Sequence, residues 1–401
     1  MTSNWETVRL GDLISKRTDF TAVEPSSEYE IVGVQRSGWG LARRAPIRGD
    51  SMKFTKLMRL ESDNLVYRTI TAFEAPSTVV TKDFEGAFVT PQTFPVFRLD
   101  TGRILPCFMA LLTTFPSFHD AMAERCTGSV LRRKTLSVGA FESIPVALPP
   151  LAEQRRIVDL IGALDNTIEA AEDLESDISR TRLEIANSLW LTGNNFVEIE
   201  KLGKTVTGAT PSTKNEDFWA TNDVPFVTPS DLDKSGADVS RYTRFVSKAG
   251  ASKNGRSVPA GAVLQVCIGA SVGKVGVTTE EATFNQQINA ITGMDESAAR
   301  FVALMLSSDY FQSAIATEAG VSTMPIVSKS KWNSMTIPWL TRSDRVAASR
   351  VAEELQNARQ LAAEHSRSLR TLRSELLTAL LSGAHEIPEA YDLVIPTASV
   401  S

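Results

Sequence analysis

The sequence has few cysteines and histidines, the residues that build disulfides and many metal sites and catalytic centres. Its 401 residues include three cysteines, Cys107, Cys126 and Cys267, which are odd in number and far apart. A disulfide framework or a CxxC-type zinc site is therefore not expected. No stretch approaches the roughly 18 consecutive apolar residues of a membrane-spanning helix, and the N-terminus lacks the pattern of a signal peptide. These absences predict a cytoplasmic protein with no membrane association.

Motifs of the common nucleases, hydrolases and methyltransferases are also missing. The three histidines, His119, His365 and His385, are dispersed, which disfavours a shared catalytic triad. The sequence contains no HExxH metal motif, no Asp/Glu-x-Lys nuclease pattern and no NPPY motif of adenine methyltransferases. We therefore expect no catalytic, cofactor-binding or metal-binding residues in this chain.

An overall excess of basic charge is absent as well. The formal net charge is −5 and the pI is about 5.5. Any binding of nucleic acid must therefore depend on local basic patches rather than on the charge of the whole protein.

What the sequence does contain is an internal repeat. Prolines followed by the start of a long predicted helix occur in Ile144–Glu172 and again in Met335–Glu364. Each copy follows a globular stretch. A repeat of this size is too long for a solenoid unit and indicates two copies of a module, domain plus helix. The predicted boundaries are 1–149 for the first domain, 150–192 for the first long helix, 193–339 for the second domain, 340–383 for the second long helix and 384–401 for a C-terminal tail.

Both globular stretches have the same predicted order of strands, helix, loop and final strand. In the first domain we predict strands in Tyr29–Val34, Asn64–Ile70, Ser77–Thr81 and Phe88–Leu99, a helix in Leu105–Phe118, a loop or strand in Cys126–Leu136 and a final strand in Phe141–Ala147. In the second we predict strands in Val224–Thr228, Gly261–Ile268, Val275–Thr278 and Gln287–Thr292, helices in Ala298–Leu306 and Tyr310–Glu318, and a loop in Gly320–Lys331.

The two long helices have coiled-coil spacing. The first helix has a seven-residue row of Ile157, Leu164, Ala171, Ile178 and Ile185, and a second row of Ile161, Ile168 and Leu189 that Glu175 and Arg182 interrupt. The second helix has rows of Leu355, Ala362, Leu369 and Leu376, and of Val351, Ala358, Leu372 and Ala379 with His365 as the polar exception. Sustained heptads predict that the helices pack lengthwise. Because a whole domain lies between them, we expect an intramolecular antiparallel pair.

Several segments resemble the specificity subunits of type I restriction–modification systems. They are LPPLAEQRRIV at 148–158 with the heptads that follow, the closing segment Leu372–Asp392, and Val206–Leu232, which is similar to the opening of a target-recognition domain. Gly269, Gly273 and Lys274 with Asn285–Ile291 resemble the later part of such a domain.

The resemblance implies an α+β fold with two target-recognition domains in a pseudo-two-fold repeat, joined by two long antiparallel helices. It implies that each domain reads one half of a bipartite target in double-stranded DNA. It also implies two modification subunits, which bring S-adenosylmethionine, and two restriction subunits, which bring ATP and Mg²⁺.

The basic segment Arg36–Arg68 is the strongest candidate for DNA contact. It has eight basic residues against three acidic ones, with Trp39, Phe54 and Tyr67 interleaved. Lysine and arginine neutralise phosphates, and arginine can also bind the major-groove edge of guanine. From this segment we select Arg36, Trp39, Arg43, Arg44, Arg48 and Lys53 as candidate DNA-binding residues.

Three further groups are weaker candidates for DNA contact. The loop of the first domain contributes Arg132, Arg133 and Lys134, and the matching place in the second domain contributes Lys329 and Lys331. A third group contains Arg241, Tyr242 and Arg244. GASVGKV at 269–275 is one residue short of a phosphate-binding loop and lacks its Ser or Thr, so it predicts a tight turn with a DNA-facing Lys274 instead.

The first long helix is acidic, with nine acidic and four basic residues between Ala152 and Leu189. This charge would repel phosphates, so we interpret the helix as a spacer and a protein-docking surface. Two alternatives remain open from the sequence: a single-chain DNA methyltransferase or nuclease with duplicated recognition domains, and a coiled-coil adaptor that binds only proteins. The target sequence and the gap between its halves depend on loop geometry and are not predicted.

Overall fold

The structure, a computed structural model, describes residues 5–130, 134–239, 241–254, 256–321, 323–388 and 390–391. The chain divides into two compact units. The first unit is discontinuous in sequence and contains Met1–Ile168 and Ser368–Ser401, and the second contains Glu169–Arg367. Each of the two long helices therefore contributes one part to each unit.

The first unit begins with a domain of short strands and three helices. The strands are β1 Glu6–Arg9, β2 Ile14–Lys16, β3 Thr21–Ala22, β4 Glu28–Tyr29, β5 Val32–Val34, β6 Leu41–Arg43, β7 Ile47–Arg48, β8 Lys56–Arg59, β9 Leu65–Tyr67, β10 Ser77–Val79, β11 Phe88–Val89, β12 Val96–Leu99 and β13 Pro145–Leu148. The helices are α1 Pro106–Thr113, α2 Pro116–Glu124 and α3 Val138–Glu142. The long helix α4 Leu151–Thr192 follows directly.

The first domain consists of small antiparallel sheets around one main core. A four-stranded sheet has the order β10-β9-β12-β2, and a three-stranded sheet has the order β11-β8-β3. Strand β1 pairs with β13, so the start of the domain lies against the strand that leads into the long helix. Tyr67 stacks on Phe141 in this core, with ring centroids 3.9 Å apart. Burial of both aromatic rings stabilises the sheet against α3.

Several predicted elements of the first domain differ from the structure, and prolines explain most of the differences. Phe88–Leu99 is two strands, because Pro91 and Pro95 interrupt the ladder between them. Leu105–Phe118 is two helices, because Pro116 starts a new helix. The final strand begins only at Pro145, because Ser137 caps a short helix that includes Phe141.

The second unit has a domain with a larger central sheet. Its strands are β14 Phe196–Glu198, β15 Lys204–Thr207, β16 Val224–Val227, β17 Asp238–Val239, β18 Phe245–Val246, β19 Val263–Val266, β20 Val275–Thr278, β21 Thr283–Phe284, β22 Ile288–Thr292 and β23 Thr336–Pro338. Its helices are α5 Lys248–Asn254, α6 Glu296–Ser307, α7 Asp309–Ala319 and α8 Lys329–Ser334, and the long helix α9 Arg342–Leu381 follows.

The five-stranded sheet of the second domain has the order β15-β22-β19-β20-β17, and a three-stranded sheet has the order β18-β16-β21. Strand β14 pairs with β23, as β1 pairs with β13 in the first unit. Helix α6 is buried along almost its whole length and is capped by Asp295, whose side chain accepts a hydrogen bond from Ala298 N. The predicted loop Gly320–Lys331 runs into α8, because Ser328 caps that helix in the same way.

The long helices pack against each other in antiparallel directions within each unit. In the first unit Arg373 of α9 pairs with Asp165 of α4. In the second unit the hydroxyl of Ser366 donates to Glu172 Oε1 over 3.1 Å, and Arg359 lies 3.8 Å from Glu175. Residue numbers rise along α4 as they fall along α9, so the predicted antiparallel pair is confirmed.

The predicted apolar rows of the first helix are buried or half-buried, but one predicted row of the second helix is wrong. Val351 is 42% exposed and Leu372 is 51% exposed. The row that faces α4 lies one residue further along the chain and contains Ala352, Arg359, Ser366, Arg373 and Leu380. Apolar heptads in the sequence do not reveal this row, because three of its five members are polar and bind acidic side chains of α4.

The arginine that interrupts the second apolar row of α4 lies in the core of the second unit. Arg182 is buried, and its Nη1 donates to Ser307 Oγ over 3.3 Å. Burial lowers the pKa of this guanidinium to about 10, with a partly opposing effect of nearby Asp233. Asp233 also lies 3.6 Å from Arg359 of α9. This polar cluster connects a loop of the second domain to the helix pair of the same unit.

The structure confirms the predicted α+β class with a repeated domain and two long antiparallel helices. Helices α4 and α9 lie inside the predicted spans 150–192 and 340–383. Among the described residues, no helix is long and apolar enough to cross a membrane.

Candidate nucleic-acid interface

The hairpin of β5 and β6 carries the first candidate residues at its tip. The guanidinium carbon of Arg36 lies 4.8 Å from the ring centroid of Trp39, which is 64% exposed. Ser37 and Gly38 adopt left-handed backbone conformations with φ of 50° and 71°. A Cβ at Gly38 would lie 2.5 Å from the carbonyl oxygen of Thr113, so only glycine fits this turn. The tight turn thus presents a cation and an indole side by side.

Two of the candidate arginines are bound to acidic side chains of the same domain. Arg43 Nε lies 3.2 Å from Glu30 Oε1, and its Nη2 donates to the carbonyl oxygen of Asp83. Arg48 Nη2 lies 3.0 Å from Asp50 Oδ2. These pairs are exposed, so the interaction of each is weak and remains open to competition by phosphate.

Arg44 and Lys53 line a groove of about 520 Å³ on the first domain. Neither cation has a carboxylate partner among the residues that the structure describes. We call this cavity groove A. It is lined by Ile31, Val32, Arg44, Ile47, Ser51, Met52, Lys53, Phe54, Leu57, Arg68, Ile70, Thr90, Thr93 and Phe94. No acidic residue is among these lining residues, which favours an anionic or uncharged occupant.

A second groove, of about 590 Å³, adjoins the first, and we call it groove B. It brings together Lys53, Phe54 and Lys56 with Lys16 and Phe20. Of these five residues, Lys53 alone was predicted from the sequence as a DNA-binding residue. Strand β3 pairs with β8 through Thr21↔Leu57 and Ala22↔Lys56, which places the early segment beside the basic segment. A basic-aromatic pattern in 16–20 was visible in the sequence, but its neighbours depend on this pairing.

A buried ion-pair cluster supports the floor of groove B. Arg17, 4% exposed, lies 2.8 Å from Glu61 Oε1 and pairs with Asp19, and its Nη1 donates to Asn64 Oδ1 over 2.7 Å. The hydrogen bond from Arg17, with the backbone and the nearby charges, lowers the pKa of the Asp19 carboxyl to about 2. Arg17 is therefore a positioning residue, and its charge is largely neutralised inside the domain.

Of the three candidate residues in the loop of the first domain, the structure describes one, Lys134. Arg132 and Arg133 lie outside the described residues. Lys134 is half-buried near Cys126, whose thiol pKa is raised by burial while the positive charge of Lys134 opposes that rise. In the second domain, Lys329 Nζ donates to the carbonyl oxygen of Thr205 over 3.0 Å, and Lys331 forms an ion pair with Glu318. Both lysines lie on helix α8 rather than on the predicted loop.

In the third group, Arg244 lies beside an aromatic ring and Arg241 lies near acidic side chains. The guanidinium carbon of Arg244 lies 4.4 Å from the ring centroid of Trp219. Tyr242 is half-buried, and its hydroxyl lies 3.2 Å from Thr279 Oγ1. Arg241 lines a groove of about 370 Å³ together with Asp231, Asp233 and Asp238 and with part of α9. Arg244 stacked on Trp219 is thus the better placed of the two arginines for phosphate.

Lys274 is half-buried, and its ammonium donates to the carbonyl oxygen of Pro229 over 2.8 Å. The predicted tight turn is present: Gly269 and Gly273 have φ of 90° and 95°. The amide of Gln312 donates to the carbonyl oxygen of Gly273 over 2.7 Å, and a Cβ on that glycine would lie 2.4 Å from Gln312 Oε1. The interactions of Lys274 inside the domain thus compete with the predicted contact to DNA.

The candidate surface is therefore concentrated in the first domain. There Arg36 with Trp39, and Arg44 and Lys53 with the two acid-free grooves, combine positive charge with exposed aromatic rings. Such combinations suit a nucleic-acid backbone and its bases. All three lysines predicted in the second domain, Lys274, Lys329 and Lys331, are already bound to carbonyl or carboxylate oxygens.

Comparisons with known proteins agree with this architecture. The chain is 28% identical to the type I restriction enzyme HindI specificity subunit of Haemophilus influenzae, over 76% of this chain and 82% of that protein. It is 27% identical to the MjaIX specificity subunit of Methanocaldococcus jannaschii over 35% of this chain and 33% of that protein.

Two solved structures share the fold. The type I restriction–modification S subunit from M. genitalium has a TM-score of 0.55 at 13% identity, covering 94% of this chain and 96% of that one. A chain from a study of complex assembly and conformational transition in the type I system has a TM-score of 0.59 at 17% identity, covering 95% and 98%. The profile of the Methylase_S family, the type I restriction modification DNA specificity domain, matches residues 2–180 and 192–348. Because these two matches take in most of the chain, once for each domain, the protein belongs to this family of DNA specificity domains.

Proposed function

We propose that this chain is the non-catalytic specificity subunit of a type I restriction–modification complex in the cytoplasm. Each domain reads one half of a bipartite target in double-stranded DNA. The observation that carries the proposal is the repeat itself: two units of the specificity-domain family, each with one part of a continuous antiparallel helix pair. Two separate readers in one chain suit a target with two separate halves.

The chemistry is assigned to partner subunits. Two modification subunits bind S-adenosylmethionine and methylate adenine, and two restriction subunits use ATP and Mg²⁺ to translocate and cleave DNA. The specificity chain positions them on the target. The acidic helix α4, with its surplus of carboxylates, repels phosphate and leaves its outer face to protein partners. DNA contact then depends on the basic surfaces of the domains.

The test is to map methylated adenines in DNA treated with the assembled chain and modification subunits. We expect a bipartite target with a constant gap. Replacing residues 5–148 with the first domain of another specificity subunit should change one half of the target and leave the other half unchanged. A change in both halves would contradict independent reading by the two domains.

The same proteins distinguish the proposed function from a single-chain enzyme and from an adaptor that binds only proteins. The highly purified chain, given S-adenosylmethionine, ATP and Mg²⁺, should neither methylate nor cleave DNA, whereas a single-chain enzyme would do so. The assembled complex should bind DNA with an affinity that falls as salt rises. A protein-only adaptor would show no such binding. Mass measurement of the intact complex gives the number of modification and restriction subunits.

A further inference from the structure

Lys53 and Phe54 form a ridge between groove A and groove B. Both residues line both grooves, and Thr90 is the third residue that the grooves share. Phe54 is 49% exposed. Each groove is within the range of about 300–1,000 Å³ that is typical of pockets for small organic molecules. The ridge therefore presents an aromatic ring with space for a flat group on either side.

The ridge is surrounded by positive charge. Lys16, Arg44, Lys53 and Lys56 line the two grooves and have no carboxylate partner in the described part of the chain. None of the described residues that line the two grooves is acidic. By contrast, the groove of the second domain near Arg241 is lined by three aspartates. An acid-free basic surface with an exposed ring at its centre is complementary to phosphates on either side of a base.

Exposed apolar side chains are concentrated in the same place. Phe20 is 41% exposed, Ile47 is 36% exposed and Ile70 is 49% exposed, and each lines one of the two grooves. Exposed apolar groups that cluster at a concave surface indicate a binding site more often than scattered ones do. The neighbouring cations exclude a purely apolar occupant. A nucleobase, flat and apolar on its faces and attached to a phosphate backbone, matches both features.

Backbone hydrogen bonds hold the ridge in place. Gly49 N donates to the carbonyl oxygen of Ser27 over 2.9 Å, and Val23 N donates to that of Thr55 over 3.0 Å. A Cβ on Gly49 would lie 2.1 Å from the carbonyl oxygen of Glu24, so the chain approaches too closely there for any other residue. Because these contacts bracket Lys53–Phe54 on both sides, Phe54 is presented without a large loss of backbone entropy on binding.

We propose that Phe54 stacks on a base of the DNA half-target that the first domain reads, with the ridge entering the duplex at one base step. The lysines of the ridge and grooves neutralise the phosphates that flank this step. Apolar side chains that enter between base pairs unstack them partly and bend the duplex. Phe54 is thus a DNA-contacting residue that acts through stacking rather than through charge. This inference rests on the proposed function.

The test uses the chain assembled with its modification subunits and a duplex that carries the target found by methylation mapping. The fluorescent adenine analogue 2-aminopurine is placed at successive positions of each half. Its fluorescence rises when the base loses its stacking in the duplex. The variants are Phe54→Ala, which removes the ring, and Phe54→Trp, which keeps an aromatic ring. Phe196→Ala is the matched control, because this phenylalanine of the second domain is 45% exposed.

The adenine to be methylated is flipped out of the duplex by the modification subunit and should brighten in every variant. With the wild-type complex we expect increased fluorescence at one further position of the first half. Phe54→Ala should abolish the increase at this further position and weaken binding about 5- to 150-fold, the range for loss of one base–aromatic stack, with an unchanged salt slope. Phe54→Trp should retain both signals, and Phe196→Ala should change neither in the first half.

Wild-type fluorescence and affinity in Phe54→Ala would overturn the stacking role while leaving the proposed function intact. A loss of affinity in Phe54→Ala that Phe54→Trp does not restore would also overturn it, because the cause would then be folding rather than stacking. Absence of salt-dependent DNA binding by the wild-type complex would instead contradict the proposed function itself.

Discussion

Arg373 donates two hydrogen bonds to Asp165, a residue 208 positions earlier in the chain. The Nη2–Oδ2 distance is 2.9 Å, and Nε bonds to the other carboxylate oxygen. The guanidinium is 28% exposed and the carboxylate 45% exposed. This two-point contact fixes one register of α4 against α9 in the first unit, since a shift of either helix by one residue would turn one partner away.

We expect the Asp165–Arg373 pair to contribute about 1 kcal/mol to the free energy of unfolding, since it is bidentate but partly exposed to water. The measurement is a double-mutant cycle with Asp165→Ala, Arg373→Ala and the double variant, followed by urea unfolding. The exposed pair Arg350–Glu354, which lies within α9 alone, is the control and should show weaker coupling. Strict additivity at Asp165 and Arg373 would contradict a specific contribution of this pair.

Arg44 should matter more for DNA binding than Arg43 or Arg48. Its cation has no carboxylate partner among the described residues, whereas Arg43 pairs with Glu30 and Arg48 with Asp50. Arg44→Ala should weaken DNA binding by the assembled complex and reduce the slope of log affinity against log salt by about one unit.

The check is a salt titration of DNA affinity for each arginine variant, with Arg350→Ala on α9 as an exposed control. If Arg44 instead binds the edge of one guanine, its loss should cost about 1–3 kcal/mol and relax a single base position. An unchanged affinity and slope for Arg44→Ala would remove groove A from the DNA interface.

The Arg17–Asp19 pair should make the free energy of unfolding depend on pH in the acidic range. Asp19 has a pKa of about 2 in the folded protein, below its ordinary value of 3.8. The unfolded state therefore binds the proton more readily, and the stabilisation by this pair is present above pH of about 4 and is lost as pH falls towards 2.

The measurement compares wild type with Asp19→Asn by urea unfolding at pH values from about 5 to 2. The difference in stability between the two proteins should shrink as pH falls through this window. Asp12→Asn, an exposed aspartate of the same domain, is a suitable control. A constant difference across the window would show that the charge of Asp19 is not the cause.

Under the proposed function, shortening both long helices equally should change the gap between the two halves of the DNA target. Removing residues 166–172 from α4 and 366–372 from α9 keeps the pairs Asp165–Arg373 and Glu175–Arg359. Seven helical residues correspond to about 10 Å, or roughly three base pairs of B-DNA. Methylation mapping should find the same two half-sequences with a shorter gap.

Removing residues 166–172 from α4 alone is the informative control. It breaks the match between the helices, so we expect poor assembly rather than a new gap. If the doubly shortened chain kept the wild-type gap, the helices would not set the distance between the two halves of the DNA target.

The sequence was sufficient to predict the repeat, the antiparallel pair of long helices and the approximate bounds of these two helices. Prolines and heptads are local signals in the sequence, and they predict a helix without knowledge of its tertiary contacts. The polar row of α9 was missed because Arg359, Ser366 and Arg373 satisfy acidic partners that come from nearly 200 positions earlier. Short strands were predicted less well, since the pairings of β4 with β7 and of β5 with β6 divide the predicted strand Tyr29–Val34 between different partners.

At the candidate site, local charge pointed to the basic segment Arg36–Arg68 but did not reveal the partners of each residue. The sequence does not show that Glu30 binds Arg43 or that a carbonyl group binds Lys274, because both partners are brought in by tertiary contacts. It also gave no reason to join Phe20 and Lys16 to the ridge at Lys53–Phe54. Their proximity results from the pairing of β3 with β8.

The discontinuous first unit has a consequence for the order of events during synthesis. Leu377, Leu380, Leu381 and Ile387 belong to the same buried core as Leu10 and Ile157. The ribosome releases the early strands first, yet their core stays incomplete until Leu377–Ile387 has emerged. The second unit is continuous in sequence and can close earlier. A chain that stops before Leu377 would leave the apolar face of α4 uncovered, so premature termination should yield an aggregation-prone protein rather than a half-active one.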